Sequence, residues 1–134
     1  MLDSNAVSEA VRPHPRPAFM RRLQLHGGAL AISATTWAEL VFGVERLPDG
    51  RRKTELARYL SEGVRPNVQV LPFDAEAASW HGRERARLAA AGKSAQFEDG
   101  QVAAVAATRG LVVVTENIGH FAHFEGVTVV DWTV

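Results

Sequence analysis

The sequence contains no cysteine. That removes disulfides, thiolate nucleophiles and any zinc or iron–sulfur site built on sulfur ligands. No apolar run approaches the roughly 18 residues that a membrane span needs. Asp3 and Glu9 interrupt the stretch where a secretory signal would carry its apolar core. Internal repeats, low-complexity blocks and long linkers are missing as well, and so is net charge, because 15 basic side chains balance 15 acidic ones. What remains is 134 residues, 46% hydrophobic and 22% charged, which read as one soluble domain over residues 1–134. A chain of about 150 residues buries roughly two-thirds of its unfolded surface, enough for a single core. A cytoplasmic location is compatible with this composition.

The zero net charge conceals an asymmetry. Residues 1–93 hold 14 Lys/Arg against 10 Asp/Glu, whereas residues 94–134 hold one Arg against five acids. Thirteen of the 15 cations are arginine, the side chain best suited to bidentate phosphate recognition. Arginines also serve as solvated helix faces and salt-bridge partners. The pattern therefore permits, without requiring, a cationic rim around an acidic focus.

Apolar, largely β-branched runs at 29–32, 68–71, 111–114 and 127–130 have strand length, and Met1-Leu2 reads as the stub of another strand. Between them, 18–25, 36–46, 52–62, 75–90 and 100–109 carry apolar residues at helical spacings of three and four. Pro13, Pro15, Pro17, Pro48-Asp49-Gly50 and Pro66-Asn67 punctuate the joins. Strands alternating with helices imply crossover connections, hence a mostly parallel sheet of about five short strands in a three-layer α/β/α sandwich. In such open sheets ligands bind beyond the carboxyl ends of the strands, where strand order reverses.

Four oxygen-bearing residues stand at those ends. Asp3 closes the first stub, Glu39 lies on the helix after the second strand, Asp99 opens the helix 100–109, and Asn117 follows the strand 111–114. Each has a purely structural reading. Asp3 suits a helix N-cap. Thr36-Trp37-Ala38-Glu39 fits a capping box with Glu39 folding back onto the Thr36 amide. Asp99 suits the positive end of a helix dipole, and Asn117 suits a turn. Those readings leave unexplained why all four converge if the sheet is doubly wound. Carboxylates a few ångströms apart raise one another's pKa unless a cation sits among them. Oxygen-only ligands, with no Cys and no well-spaced His pair, select Mg²⁺ or Mn²⁺.

The segments that carry these residues resemble those of PIN-domain ribonucleases of the VapC and FitB type. Leu2-Asp3-Ser4-Asn5 with Ser8-Glu9 is similar to the family's opening strand and Asp-Thr-Asn end. Ser33 to Gly43 is similar to its Thr-x-x-Glu-Leu-x-x-Gly segment, and Asp99-Gly100-Gln101-Val102-Ala103-Ala104 to its Asp-x-x-Ile-Ala-Ala segment. Val114-Thr115-Glu116-Asn117 with Phe121 resembles Thr-Arg-Asn/Asp…Phe, and Val130-Asp131-Trp132 the usual ending. Five segments in family order span essentially the whole chain. The resemblance implies a PIN fold and a homodimeric, metal-dependent endoribonuclease that leaves 5′-phosphate and 3′-hydroxyl ends. It also implies the toxin half of a toxin–antitoxin pair, with a small VapB-like antitoxin that blocks the acidic pocket. Asp3 and Asp99 are then the expected Mg²⁺ ligands, with Glu39 binding directly or through water and Asn117 orienting a water or a ligand.

Three departures stand out. Ser4 replaces the commoner Thr and keeps the hydroxyl. Glu116 occupies a position that is often Arg. The chain starts two residues before Asp3, which reads as a start placed downstream of the natural one or as a weakened central strand. Arg12, Arg16, Arg21, Arg22, Arg46, Arg51 and Arg52 are candidates for tracking an RNA backbone. His120 and His123 read as an exposed pair before they read as catalysts. Trp37 and Trp132 read as core or dimer-interface residues, and Arg83, Arg85 and Arg87 as a solvated helix face. Two alternatives remain open. One is a degenerate PIN module that binds RNA or a partner without cutting. The other is a haloacid-dehalogenase-like phosphohydrolase, disfavoured by Asn5 where that chemistry wants an acid and by the absence of any lysine after Lys93.

Overall fold

The computed structural model describes residues 1–134. Its elements are α1 (Ser4–Glu9), α2 (Pro17–Leu25), β1 (Ala31–Ser33), α3 (Ala34–Glu45), α4 (Arg51–Arg58), β2 (Gln69–Leu71), α5 (Ala75–Ala90), α6 (Phe97–Arg109), β3 (Val112–Val114), α7 (Ile118–Phe121) and β4 (Thr128–Val130). A wider π turn, Tyr59–Val64, continues α4. Every strand is three residues long, shorter than the apolar runs that predict them.

The expected parallel sheet is present. β1 pairs with β2, and β3 with β4, both parallel. The N-terminal residues join the two ladders. The Leu2 N–H donates to Ala31 O at 2.8 Å, Asp3 N–H to Val114 O at 2.9 Å, and Val114 N–H to Met1 O at 2.8 Å. Leu2 forms a parallel bridge to Val114. The spatial order is therefore β2, β1, Met1–Asp3, β3, β4, with the reversal of winding between Met1–Asp3 and β3. Side chains alternate between the faces as strand geometry demands. Ile32 and Val114 join Phe19, Val44, Leu60 and Val64 in one core cluster. Val113 packs on the opposite face with Leu88, Val102, Ala103, Ala106, Phe121 and Phe124, and Ala31 packs with Ala77, Ala104 and Val105. Three layers result. Ala103, Ala104 and Ala106 of α6 are fully buried, which lets this helix sit close against the sheet.

Local chemistry sets most boundaries. Ser33 ends β1 and caps α3, its Oγ accepting from Thr36 N–H at 3.0 Å. Thr36 is thus already inside the helix, and the expected capping box between Thr36 and Glu39 does not form. The short α1 follows Asp3, whose Oδ1 accepts from Ser4 N–H at 2.9 Å. Asp74 caps α5 through Ala77 N–H at 2.9 Å. Gly110 ends α6 in the left-handed region at φ 63°. The helix expected over 52–62 starts at Arg51 and widens at Tyr59, whose hydroxyl donates to Val7 O at 2.8 Å and ties the turn to α1. Asp99 lies in the first turn of α6, which starts three residues earlier than the periodicity predicts.

Candidate active site

A cleft of about 620 Å³ opens at the carboxyl edge of the sheet, and Asp3, Glu39, Asp99 and Asn117 all line it. The sheet order puts Asp3 and Asn117 at the ends of neighbouring strands, while α3 and α6 bring in Glu39 and Asp99. The predicted convergence therefore holds. Leu40, Val44, Leu47, Leu56 and Leu60 give the cleft an apolar wall, and Arg12, Arg52 and His120 supply its basic groups.

Asp3 is almost fully enclosed. Besides Ser4 N–H, its carboxylate accepts from Thr115 Oγ1 at 3.1 Å and Asn5 Nδ2 at 3.4 Å, both at Oδ2. Burial nonetheless raises its pKa above the ordinary carboxylate value, against the lowering effect of those donors. Glu39 is raised by burial and then by the charges of Asp3 and Asp99, with partial relief from the Ser4 hydroxyl. Asp99 is raised by burial and by Asp3, and lowered by His120, whose Nδ1 lies 3.5 Å from Asp99 Oδ2. Glu39 thus feels the charge of both aspartates and Asp99 that of Asp3, yet no three His, Asp or Glu side chains stand close enough together to hold a metal ion. The donor set suits a hard divalent cation because it is all oxygen and carboxylate-rich.

Asn117 starts α7 without using its side chain as a cap, so its amide is free for the cleft, and its N–H donates to Thr115 Oγ1 at 3.0 Å. Thr115 is a site residue that sequence reasoning missed. Its fully buried hydroxyl joins Asp3, Asn5 and Asn117. Asn5 is another, donating to Thr115 and accepting from Glu116 N–H at 3.2 Å. The only local signal for either was its place in a family motif.

The arginine candidates fare unevenly. Arg12 and Arg16 are held by Glu9 and Glu116. Arg22 donates to Asp131 O at 2.9 Å, Arg46 covers the Phe42 ring and Arg51 pairs with Glu55. Arg21 lines a separate apolar groove along α2. Arg52 is exposed and lines the cleft. Of the expected solvated face on α5, Arg83 is exposed and unpaired, but Arg85 lies 4.9 Å over the Phe97 ring. Arg87 binds Glu84, Glu125 and His123 O, so that face is in part a clamp. Trp37 and Trp132 pack against the core, Trp132 stacking on His26. Histidine enters the site through His120 alone.

A doubly wound parallel α/β domain with an acidic cluster at its switch point is the class that fold and site define. Within that class, the model of the PIN domain family matches residues 1–126, and the chain belongs to the PIN-domain family. Over 134 residues it is 34% identical to the tRNA(fMet)-specific endonuclease VapC of Shigella flexneri, covering 99% of this chain and 97% of that protein. It is 34% identical over 126 residues to toxin FitB of Neisseria gonorrhoeae, covering 90% and 89% of the two chains. The crystal structure of FitAcB from Neisseria gonorrhoeae matches with a TM-score of 0.87 at 32% identity, over 98% of this chain and 96% of that one. DNA-bound VapBC from Salmonella typhimurium matches with a TM-score of 0.83 at 32% identity, over 98% and 96%.

Proposed function

We propose that this chain is an endoribonuclease that hydrolyses RNA phosphodiester bonds with Mg²⁺ or Mn²⁺, and that it is the toxin of a toxin–antitoxin pair. The observation that carries the proposal is the gathering of Asp3, Glu39, Asp99 and Asn117 along one cleft at the sheet's switch point. The relatives lend the substrate class and the biological role, being named as VapC endonuclease and FitB toxin and seen as VapBC and FitAcB complexes. A small VapB-like antitoxin and a second copy of the chain are the proposed protein partners, and the cytoplasm the proposed location. No helix is long and apolar enough to cross a membrane.

Asp3, Asp99 and Glu39 would hold the cation. When bound, it supplies charge neutralisation at the non-bridging phosphate oxygens and a more acidic attacking water. The chain's own groups do the positioning. Thr115, Ser4 and Asn5 fix the Asp3 carboxylate with three donors. Asn117, neutral and exposed, offers an amide to a water or to a phosphate oxygen. The water oxygen joins phosphorus as the bond to the 3′-oxygen breaks, leaving a 5′-phosphate and a 3′-hydroxyl. The haloacid-dehalogenase alternative finds no support, since Asn5 is committed to Thr115 and Glu116.

The test is sequencing of cleaved RNA ends after brief induction of the wild type against Asp99→Asn. New 5′-phosphate ends in the wild type alone support the proposal. Equal cleavage by a purified Asp99→Asn variant removes it. A non-catalytic module would give no new ends and no stabilisation by Mn²⁺.

A further inference from the structure

Glu116, whose role the sequence leaves open, bridges two arginines, of which Arg12 lines the cleft. Its Oε1 lies 3.2 Å from Arg12 Nη2 and its Oε2 lies 2.8 Å from Arg16 Nη1. Behind it, Glu9 Oε2 meets Arg12 Nη1 at 2.7 Å, and Glu9 Oε1 accepts from Arg16 N–H at 2.8 Å. We propose that Arg12 and Arg16 form a binding site for a backbone phosphate of RNA, and that Glu116 fills this site in the free chain. The inference rests on the RNA reading above and adds a place where the strand is gripped beside the carboxylates.

The chemistry matches in charge and shape. A phosphodiester carries one negative charge spread over two non-bridging oxygens, as a carboxylate does, and each Glu116 oxygen meets a different guanidinium. Arginine forks are built for that geometry. Burial separates the two acids. The Glu9 side chain is 2% exposed, while that of Glu116 is 25% and those of Arg12 and Arg16 are 41% and 43%. Glu9 must keep a cation, because a buried carboxylate stripped of its partner is costly. It therefore keeps the Arg12 guanidinium at 2.7 Å and the Arg16 main chain at 2.8 Å whatever happens to Glu116. The Glu116 side chain reaches solvent and can swing away while its N–H stays on Asn5.

Its departure leaves two arginines against Glu9, one net positive charge, which balances one phosphodiester. The carboxylate of Asp131, also near Arg16, is occupied by the N–H and hydroxyl of Thr133. Location favours a nucleic-acid phosphate over an acidic protein side chain. Arg12 lines the same cleft as Asp3, and Asn5 bonds both Glu116 N–H and the Asp3 carboxylate. An RNA strand whose scissile phosphate lay at Asp3 would have Arg12 beside it in the same cleft.

The experiment measures anisotropy of a short fluorescein-labelled single-stranded RNA against the full chain in the Asp99→Asn background, over a series of KCl concentrations. Glu116→Gln is expected to bind roughly threefold to tenfold tighter, with a log–log salt slope steeper by about 0.7 for each additional phosphate neutralised. Adding Arg16→Ala, which leaves Arg12 on Glu9, reduces the gain; an undiminished gain overturns the inference. Glu116→Ser should behave like Glu116→Gln and replaces it if thermal melting shows that variant unfolded. If the parent binds RNA but neither folded Glu116 variant binds more tightly, the inference is overturned and the RNA reading stands. If the parent fails to bind RNA, and the chain with Asp99 intact fails to cut it, the RNA reading itself falls and the inference with it. Tighter binding of polyglutamate without tighter binding of RNA also overturns the inference, in favour of an acidic protein partner.

Discussion

Replacing Gly100 with alanine places a methyl group where an imidazole already stands. A Cβ built on Gly100 lies 2.4 Å from His81 Nε2 and 2.8 Å from His81 Cδ2. His81 cannot back away easily. It projects from α5 onto α6 and is 4% exposed, with the Phe73 and Phe97 rings edge-on at 5.8 Å and 4.8 Å. Overpacking of this kind costs about 1–3 kcal/mol. Against it stands the gain of about 0.5–1 kcal/mol from replacing glycine inside a helix. The net loss expected for Gly100→Ala is therefore about 0–2.5 kcal/mol. For a chain of this size each kcal/mol moves Tm by roughly 3–5 °C.

The sign reverses without the imidazole. In a His81→Ala background the methyl finds open space, so Gly100→Ala should then stabilise by about 0.5–1 kcal/mol. The double-mutant cycle should yield a coupling energy of about 1–3 kcal/mol. Urea unfolding of the four proteins, followed by circular dichroism with midpoint and slope reported separately, measures it. Equal loss in both backgrounds would refute the reasoning, because the cost would then have nothing to do with His81. The substitution also reaches the site: Asp99 is the preceding residue, so a shifted α6 backbone should lower Mn²⁺ affinity in Gly100→Ala and not in the double variant.

Other outcomes follow from the same geometry. Asp99→Asn should abolish cleavage and leave the metal-free protein at least as stable as the wild type. Mn²⁺ at one hundred times its Kd should stabilise the wild type by about 2.7 kcal/mol, roughly 10 °C in a melting scan, and should leave Asp99→Asn unmoved. Because burial and neighbouring charges raise the Asp99 pKa in the fold, its ionised form is penalised there. That penalty is absent below the unfolded value of about 3.9, develops as pH rises through the raised folded value, and stays constant above it. The stability difference between metal-free Asp99→Asn and wild type should follow that profile in urea titrations at several pH values, and a flat difference would contradict the raised pKa. Phe121→Ala empties a fully buried site under α7; it should cost about 3–5 kcal/mol and weaken cleavage by loosening Asn117 and His120.

The apolar runs were enough to read the parallel sheet, because β-branched clusters bounded by Pro and Gly have few other uses. Their exact ends were less legible, since Ser33 finishes a strand and caps a helix at once, and the sequence offered Thr36 as an equally good cap. Asp3, Glu39, Asp99 and Asn117 were readable as a set because each follows a recognisable element and sheet topology does the rest. Pairings between chemically ordinary residues far apart in the chain were not. Nothing local says that Glu116 will meet Arg12 and Arg16, about a hundred positions earlier, or that Glu9 will be buried beneath them. The start of α6 is a sharper case. Gly100 argues for a helix boundary by propensity, yet it lies inside the helix because His81, nineteen positions away, occupies the volume a side chain would need.

That placement bears on how the chain tolerates its acidic cleft. Asp3 sits at the N-terminus of α1, and Asp99 and Glu98 sit in the first turn of α6, whose flanking Gln96 makes no side-chain cap. The exposed amide dipoles of a helix start favour an anion by about 0.3–1 kcal/mol each at partly exposed positions. The Asp3 donors add to this, yet burial still leaves all three site carboxyls with raised pKa values, so helix ends and hydrogen bonds together fall short of the desolvation cost. Glu39, well inside α3, gains nothing from a helix start and carries the charges of both aspartates. Arg12, which Glu9 and Glu116 hold, does not supply the missing positive charge, and His120, 3.5 Å from Asp99, offsets it only in part. The divalent cation proposed above would supply it to all three. The same carboxylates that destabilise the free chain should therefore become a source of stability in the loaded one.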